Sequence, residues 1–98
     1  MRGSLKQRQA KHEQDIAAGG EEMRKFVVSS GDVVTASLEL KKNSEGYLVA
    51  LRFKSGNSHR RTVGTVSEQS RESALKAGWD LVRDSNLIPL NGWKWLRP

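Results

Sequence analysis

Two adjacent guanidiniums with a hydroxyl on either side, in Ser58-His59-Arg60-Arg61-Thr62, are the strongest local candidates for chemistry in this chain. The planar fork of an arginine can engage phosphates and guanine edges through paired N–H donors. Together with Lys41, Arg52 and Lys54 upstream, residues His59, Arg60, Arg61 and Thr62 make up the expected nucleic-acid-binding set. The competing reading of the same residues is the solvated edge of a hairpin. Charge is distributed unevenly around them. Residues 26–66 carry Lys41, Lys42, Arg52, Lys54, Arg60 and Arg61 against Asp32, Glu39 and Glu45, whereas residues 67–85 carry Arg71, Lys76 and Arg83 against Glu68, Glu72, Asp80 and Asp84. A positive field confined to one segment is the usual footprint of polyanion binding, and here it points the strands, not the following helix, at the polyanion.

Other constellations are weaker. His12 and His59 both sit beside cations, and neither has a carboxylate or nucleophile at a catalytic spacing. Lys11-His12-Glu13-Gln14-Asp15 has the His-Glu pair of a zinc helix but not the second histidine four residues on, and Gly19-Gly20 lacks the Lys-Ser or Lys-Thr of a phosphate loop. The chain is therefore not expected to be an enzyme, and no metal or cofactor is expected. Trp93 and Trp95 flank Lys94, an arrangement able to stack on unpaired bases with the lysine at the backbone. In a small domain, a terminal Trp pair more often closes the apolar face of its own sheet, or a dimer seam.

The composition narrows the class. A chain of 98 residues has room for one domain with a modest core, and 36% hydrophobic with 29% charged residues is ordinary for a globular protein. It has no cysteine, which excludes thiolate metal sites and fits a reducing compartment. No apolar run approaches the roughly 20 residues of a membrane helix, and no signal-peptide core is visible at the N-terminus. A cytoplasmic location with no membrane partner is expected. The net charge of +6 and a pI near 10.1 imply an acidic partner.

These side chains must be carried by regular elements. Residues 1–23 read as a flexible or weakly helical basic arm, because Leu5, Ala10, Ile16, Ala17 and Ala18 form no wide stripe; such a helix would be stable only against a partner. Met1-Arg2-Gly3-Ser4 resembles a cloning leader. Residues 24–98 read as one α+β domain. Val34, Ala36, Leu38 and Leu40 alternate with polar residues, Asn43-Ser44-Glu45-Gly46 is a turn, and Tyr47, Val49, Leu51 and Phe53 alternate in their turn. Ser55-Gly56-Asn57-Ser58 turns into a third strand, His59–Val66, with Val63 and nominally Arg61 inward and Arg60 and Thr62 outward; Lys25–Val28 is an optional fourth strand. A helix then starts near Ser67, or at the Thr65/Glu68 capping box, with Ala74, Leu75, Gly78, Leu81 and Val82 on one stripe. Gly78 in that stripe suggests close approach to the sheet beneath Phe53 or Tyr47. The predicted architecture is an antiparallel sheet of three to four strands with one helix on one face, in the order β-β-β-α.

Three strands followed by one helix, with a basic outer sheet face, resembles the three-stranded DNA-binding domains of phage and transposon integrase N-termini and the plant ethylene-response-factor domain. The likeness is carried by Gly46-Tyr47-Leu48-Val49-Ala50-Leu51-Arg52-Phe53 and by Arg61-Thr62-Val63-Gly64-Thr65-Val66 followed by Glu72-Ser73-Ala74-Leu75-Lys76-Ala77. It implies that Arg52, Lys54, Arg60 and Thr62 face DNA, with Leu48 and Ala50 where such domains carry base-reading residues. A double-stranded RNA-binding domain also ends in three strands and a helix, but has a lysine cluster where Ser67-Glu68-Gln69 stands here. DNA is accordingly favoured over RNA. The expected function is nucleic-acid binding through the open sheet face. The alternative is a protein-interaction module, such as a small phage or mobile-element inhibitor or adaptor, using the Trp tail with Leu48 and Ala50. In that setting the C-terminal tail would form the seam of a homodimer.

Overall fold

The computed structural model describes residues 5–97, so Met1–Ser4 and Pro98 lie outside the described residues. Along the chain come α1 (Leu5–Ala18), a 3-10 turn (Glu21–Arg24), β1 (Lys25–Val27), β2 (Val33–Thr35), β3 (Ser37–Asn43), β4 (Gly46–Ser55), β5 (Asn57–Val66), α2 (Arg71–Asp84) and β6 (Lys94–Trp95). The class is α+β. An antiparallel sheet in the order β3-β4-β5 is followed by α2 packed on one of its faces, as the alternation of the sequence predicts.

Side chains alternate across this sheet. Leu38, Val49, Leu51, Phe53 and Val66 point inward and are buried against Ala74, Leu75, Trp79 and Val82 of α2. The helix starts later than the sequence suggests: Ser70, not Ser67 or Thr65, is the N-cap, and its Oγ accepts the Ser73 N–H at 3.2 Å. The physical reason is that Val66 is still in the sheet, paired with Tyr47 and buried. The chain therefore needs residues 67–70 to turn back over the inner face. Gly78 does lie against the sheet, but under Leu38 and Val49 instead of Phe53 or Tyr47, because the helix crosses the middle of β3 and β4. A Cβ there would stand 2.8 Å from Leu38 Cδ1 and 3.1 Å from Val49 Cγ1.

The alternating run from Val34 to Leu40 is not one strand. Val34 pairs with Phe26 in a second sheet, in the order β2-β1-β6, while Leu38 pairs with Leu51 in the first. The switch is made at the buried Ala36, whose N–H donates to the Arg24 carbonyl at 2.9 Å and whose carbonyl accepts Arg24 Nε at 2.9 Å. Arg24 is itself buried. It donates also to Ser37 Oγ at 2.7 Å and is ion-paired with Asp15, so that a charge inside the fold has partners for its donors.

The proline-interrupted end of the chain completes the second sheet. Phe26 pairs with Trp95, and the two rings lie 4.1 Å apart; Trp93 is buried edge-on to Phe53 at 5.1 Å. At the other end, α1 finds the partner its weak apolar stripe requires within its own chain. The Gln14 amide is 7% exposed, donates to the Leu38 carbonyl at 2.8 Å and accepts the Leu38 N–H at 3.0 Å, filling a position that a neighbouring strand would occupy on the free edge of β3. The same Oε1 accepts the Trp79 indole N–H at 3.2 Å. Outside this contact the helix is held by Ala17 and Ala18, which pack against the core, and by ion pairs, Lys11 to Glu21 at 2.6 Å and Arg71 to Glu13 at 3.0 Å. The hydrogen bond between Lys11 and Glu21 holds the lysine above its usual pKa and the carboxyl below its own.

Candidate nucleic-acid interface

Because α2 takes the inner face of the β3-β4-β5 sheet, the outer face is left to short-range neighbours within the sheet. The register decides who shares it. Ser37, Arg52 and Arg60 stand in one row, Glu39, Ala50 and Thr62 in the next, and Lys41, Leu48 and Thr65 in a third; Lys54 and Ser58 extend it toward the turn at Gly56. A bulge between Val49 and Ala50 leaves Val63 unpaired, and this extra residue lets Thr62 and Thr65 occupy the same face although an odd number of positions separates them.

Four cations, Lys41, Arg52, Lys54 and Arg60, therefore gather on one exposed surface with a single carboxylate, Glu39. Arg52 and Arg60 are directly opposite across the strands, a pairing of like charges that is unfavourable by itself. Glu39 relieves it. Its Oε1 lies 2.8 Å from Arg60 Nε and its Oε2 lies 3.5 Å from Arg52 Nε, so one carboxylate orients two guanidiniums whose side chains remain 53% and 60% exposed. Ala50, at 1% exposure, is the floor between Glu39 and Thr62. The face carries no aromatic ring. Phe26, Phe53, Trp79 and Trp93 are in the core, and Tyr47 and Trp95 pack against it.

Of the residues singled out in the sequence, Lys41, Arg52, Lys54, Arg60 and Thr62 come together on this face, and His59 and Arg61 do not. His59 lies opposite the buried Phe53 and its ring stacks on it, with centroids 5.1 Å apart and planes 12° from parallel. Arg61 lies opposite the buried Leu51, and its Nη1 donates to the Pro89 carbonyl at 2.8 Å, tying β5 to the C-terminal segment. Strand alternation already assigns both to the inner side. The sequence reading did not anticipate that Arg52 also lines a cleft of about 420 Å³ at the edge of β3, together with Lys11, Arg24 and Arg71. Lys11, Arg24 and Arg71 there are neutralised by Asp15, Glu21 and Glu13. No such pairing could be read from residues so far apart in sequence. No group of three or more His, Cys, Asp or Glu able to hold a metal occurs among the described residues. No family model, no curated protein and no solved structure matches this chain.

Proposed function

We propose that the protein binds double-stranded nucleic acid, DNA in preference to RNA, through the outer face of the β3-β4-β5 sheet. The observation that carries the reading is the gathering of Lys41, Arg52, Lys54 and Arg60 on one exposed face that α2 leaves open. Such a face can neutralise several phosphates at once, and the counterions released on contact supply most of the affinity. The lack of an aromatic ring on it argues against single strands, whose sequence-tolerant binding depends on stacking. Three strands at roughly 4.8 Å spacing span about 10 Å, a width the major groove of B-form DNA admits, whereas the major groove of A-form RNA is too narrow for side chains to read. Arg52 and Arg60, held side by side by Glu39, are the pair best suited to phosphate or guanine contacts.

The interaction-module alternative would use the Trp tail with Leu48 and Ala50, but Trp93 is 8% exposed and Ala50 1%. Neither has much surface left to offer a partner.

The test is an anisotropy titration against duplex DNA, duplex RNA and single strands at several salt concentrations. Replacing Arg52, Lys54 and Arg60 together by alanine is expected to weaken duplex binding and to lower the salt slope by about one unit per lost phosphate contact, with unchanged far-UV circular dichroism. Glu39→Gln is expected to tighten binding by roughly fivefold, the equivalent of about 1 kcal/mol for an exposed charge. Unaltered affinity and slope in the triple variant would rule this face out as the binding surface.

A further inference from the structure

At the far end of α2, a cavity of about 420 Å³ is lined by Arg83, Asn86, Ile88, Trp93, Lys94 and Trp95. None of these residues belongs to the outer sheet face. The Arg83 guanidinium stacks over the Trp95 ring, 4.4 Å from its centroid, and the Trp95 ring rests in turn on Phe26 at 4.1 Å. Arg83 Nη2 donates to the Arg97 carbonyl at 2.5 Å, and no carboxylate pairs with Arg83 among the described residues. Two buried polar atoms among the described residues have no hydrogen-bond partner, Arg83 Nη1 and Trp95 Nε1. Both belong to this one stacked pair.

Buried polar groups in folded proteins are nearly always paired, so two orphans at one cavity call for an explanation. Both are N–H donors and one is cationic, so the group that completes them is an acceptor, and an anionic one is favoured. We propose that this cavity binds a small carboxylic acid with a planar apolar body, its carboxylate received by Arg83 and Trp95 and its body by Ile88 and Trp93. The apolar walls favour an organic acid over a free phosphate, whose oxygens would need more donors than these. A helix C-terminus disfavours anions, but here the Leu81, Val82 and Arg83 carbonyls accept N–H groups from Ser85, Leu87 and Asn86, and two cations, Arg83 and Lys94, line the cavity. The guanidinium is anchored by the Arg97 carbonyl and the Trp95 ring, and because Arg83 Nη1 and Trp95 Nε1 are themselves covered, the carboxylate reaches them by displacing the rim of the cavity. The cavity volume lies within the range of small-molecule sites.

The probe is indole-3-acetate, titrated into the full isotope-labelled chain while the indole N–H resonances are followed, with Trp95→Phe used to assign them. Indole-3-acetamide and inorganic phosphate are the controls. A saturable shift of the Trp95 Nε1–H signal with the acid, and little or none with the amide or phosphate, is expected. Arg83→Lys, which keeps the charge but loses the fork, should weaken the acid at least tenfold. Because that change also touches the stack on Trp95, Asn86→Asp is the second variant; it adds a repelling charge at the rim and should weaken the acid in a protein whose far-UV circular dichroism is unchanged. Equal shifts with the amide, a response to phosphate without one to the acid, or no shift of Trp95 at millimolar acid would each overturn the assignment.

Discussion

A methyl group on Gly78 would stand 2.8 Å from Leu38 Cδ1, closer than carbon atoms tolerate, and so the residue marks where the helix backbone rests directly on side chains of the sheet. Gly78→Leu would gain about 1 kcal/mol of helix propensity and lose more by overpacking, typically about 1–3 kcal/mol. The variant is expected to unfold at lower urea concentration than the parent. An equal or higher midpoint would mean that the helix face is rotated away from the sheet. The same closeness was legible in the sequence as a glycine inside an apolar stripe, although the identity of its neighbours was not. Period-two alternation likewise made Arg52 and Arg60 companions on the outer face and set Arg61 apart from them. What alternation could not give is the use to which Arg61 is put, because its acceptor, the Pro89 carbonyl, lies in a segment with no regular pattern.

Among the elements, α1 depends most on one polar side chain. Gln14→Ala would leave the Leu38 N–H, the Leu38 carbonyl and the Trp79 indole N–H without their partner, and a destabilisation of about 2–4 kcal/mol is expected from orphaned buried groups of this kind. Faster amide exchange at Leu38, with little change at Leu51 in the middle of the sheet, would accompany it. If Leu38 exchanges as slowly in the variant as in the parent, the edge of β3 is protected by something other than Gln14. Electrostatics acts on the same helix. Glu21 is held below the usual carboxylate range by its hydrogen bond to Lys11, so its small contribution is present above that range and is lost as the pH falls through its own pKa. The strands and α2 were readable because burial of one face leaves a period in the sequence. The docking of α1 and the sheet switch at Ala36 were not, since a side chain bonding to a distant backbone leaves none.

For the molecule as a whole, the tail is part of the core and not an appendage. Removing residues 92–98 would strip Trp93 and Trp95 from Phe26 and Phe53 and take β6 from β1. The loss of one buried tryptophan alone typically costs about 3–5 kcal/mol, and small domains hold only about 5–15 kcal/mol in total. Truncation is expected to lower the melting temperature steeply and to abolish the near-ultraviolet circular dichroism of the remaining aromatic residues. A truncated protein that melts with the parent would show that the tryptophans cover nothing essential.

The pairing of Phe26 with Trp95 joins two points 69 positions apart, 95 less 26, in a chain whose other sheet is built from consecutive hairpins. Local hairpins close cheaply, whereas a loop of that length must be drawn together before its contacts repay the entropy. During synthesis the β3-β4-β5 sheet can therefore assemble while the C-terminal residues are still inside the ribosome, and β1 must wait with one side unmatched until Lys94 and Trp95 emerge. In the interval Phe26 and Phe53 lack their tryptophan cover, and the nascent protein stays open to misassociation until that strand arrives.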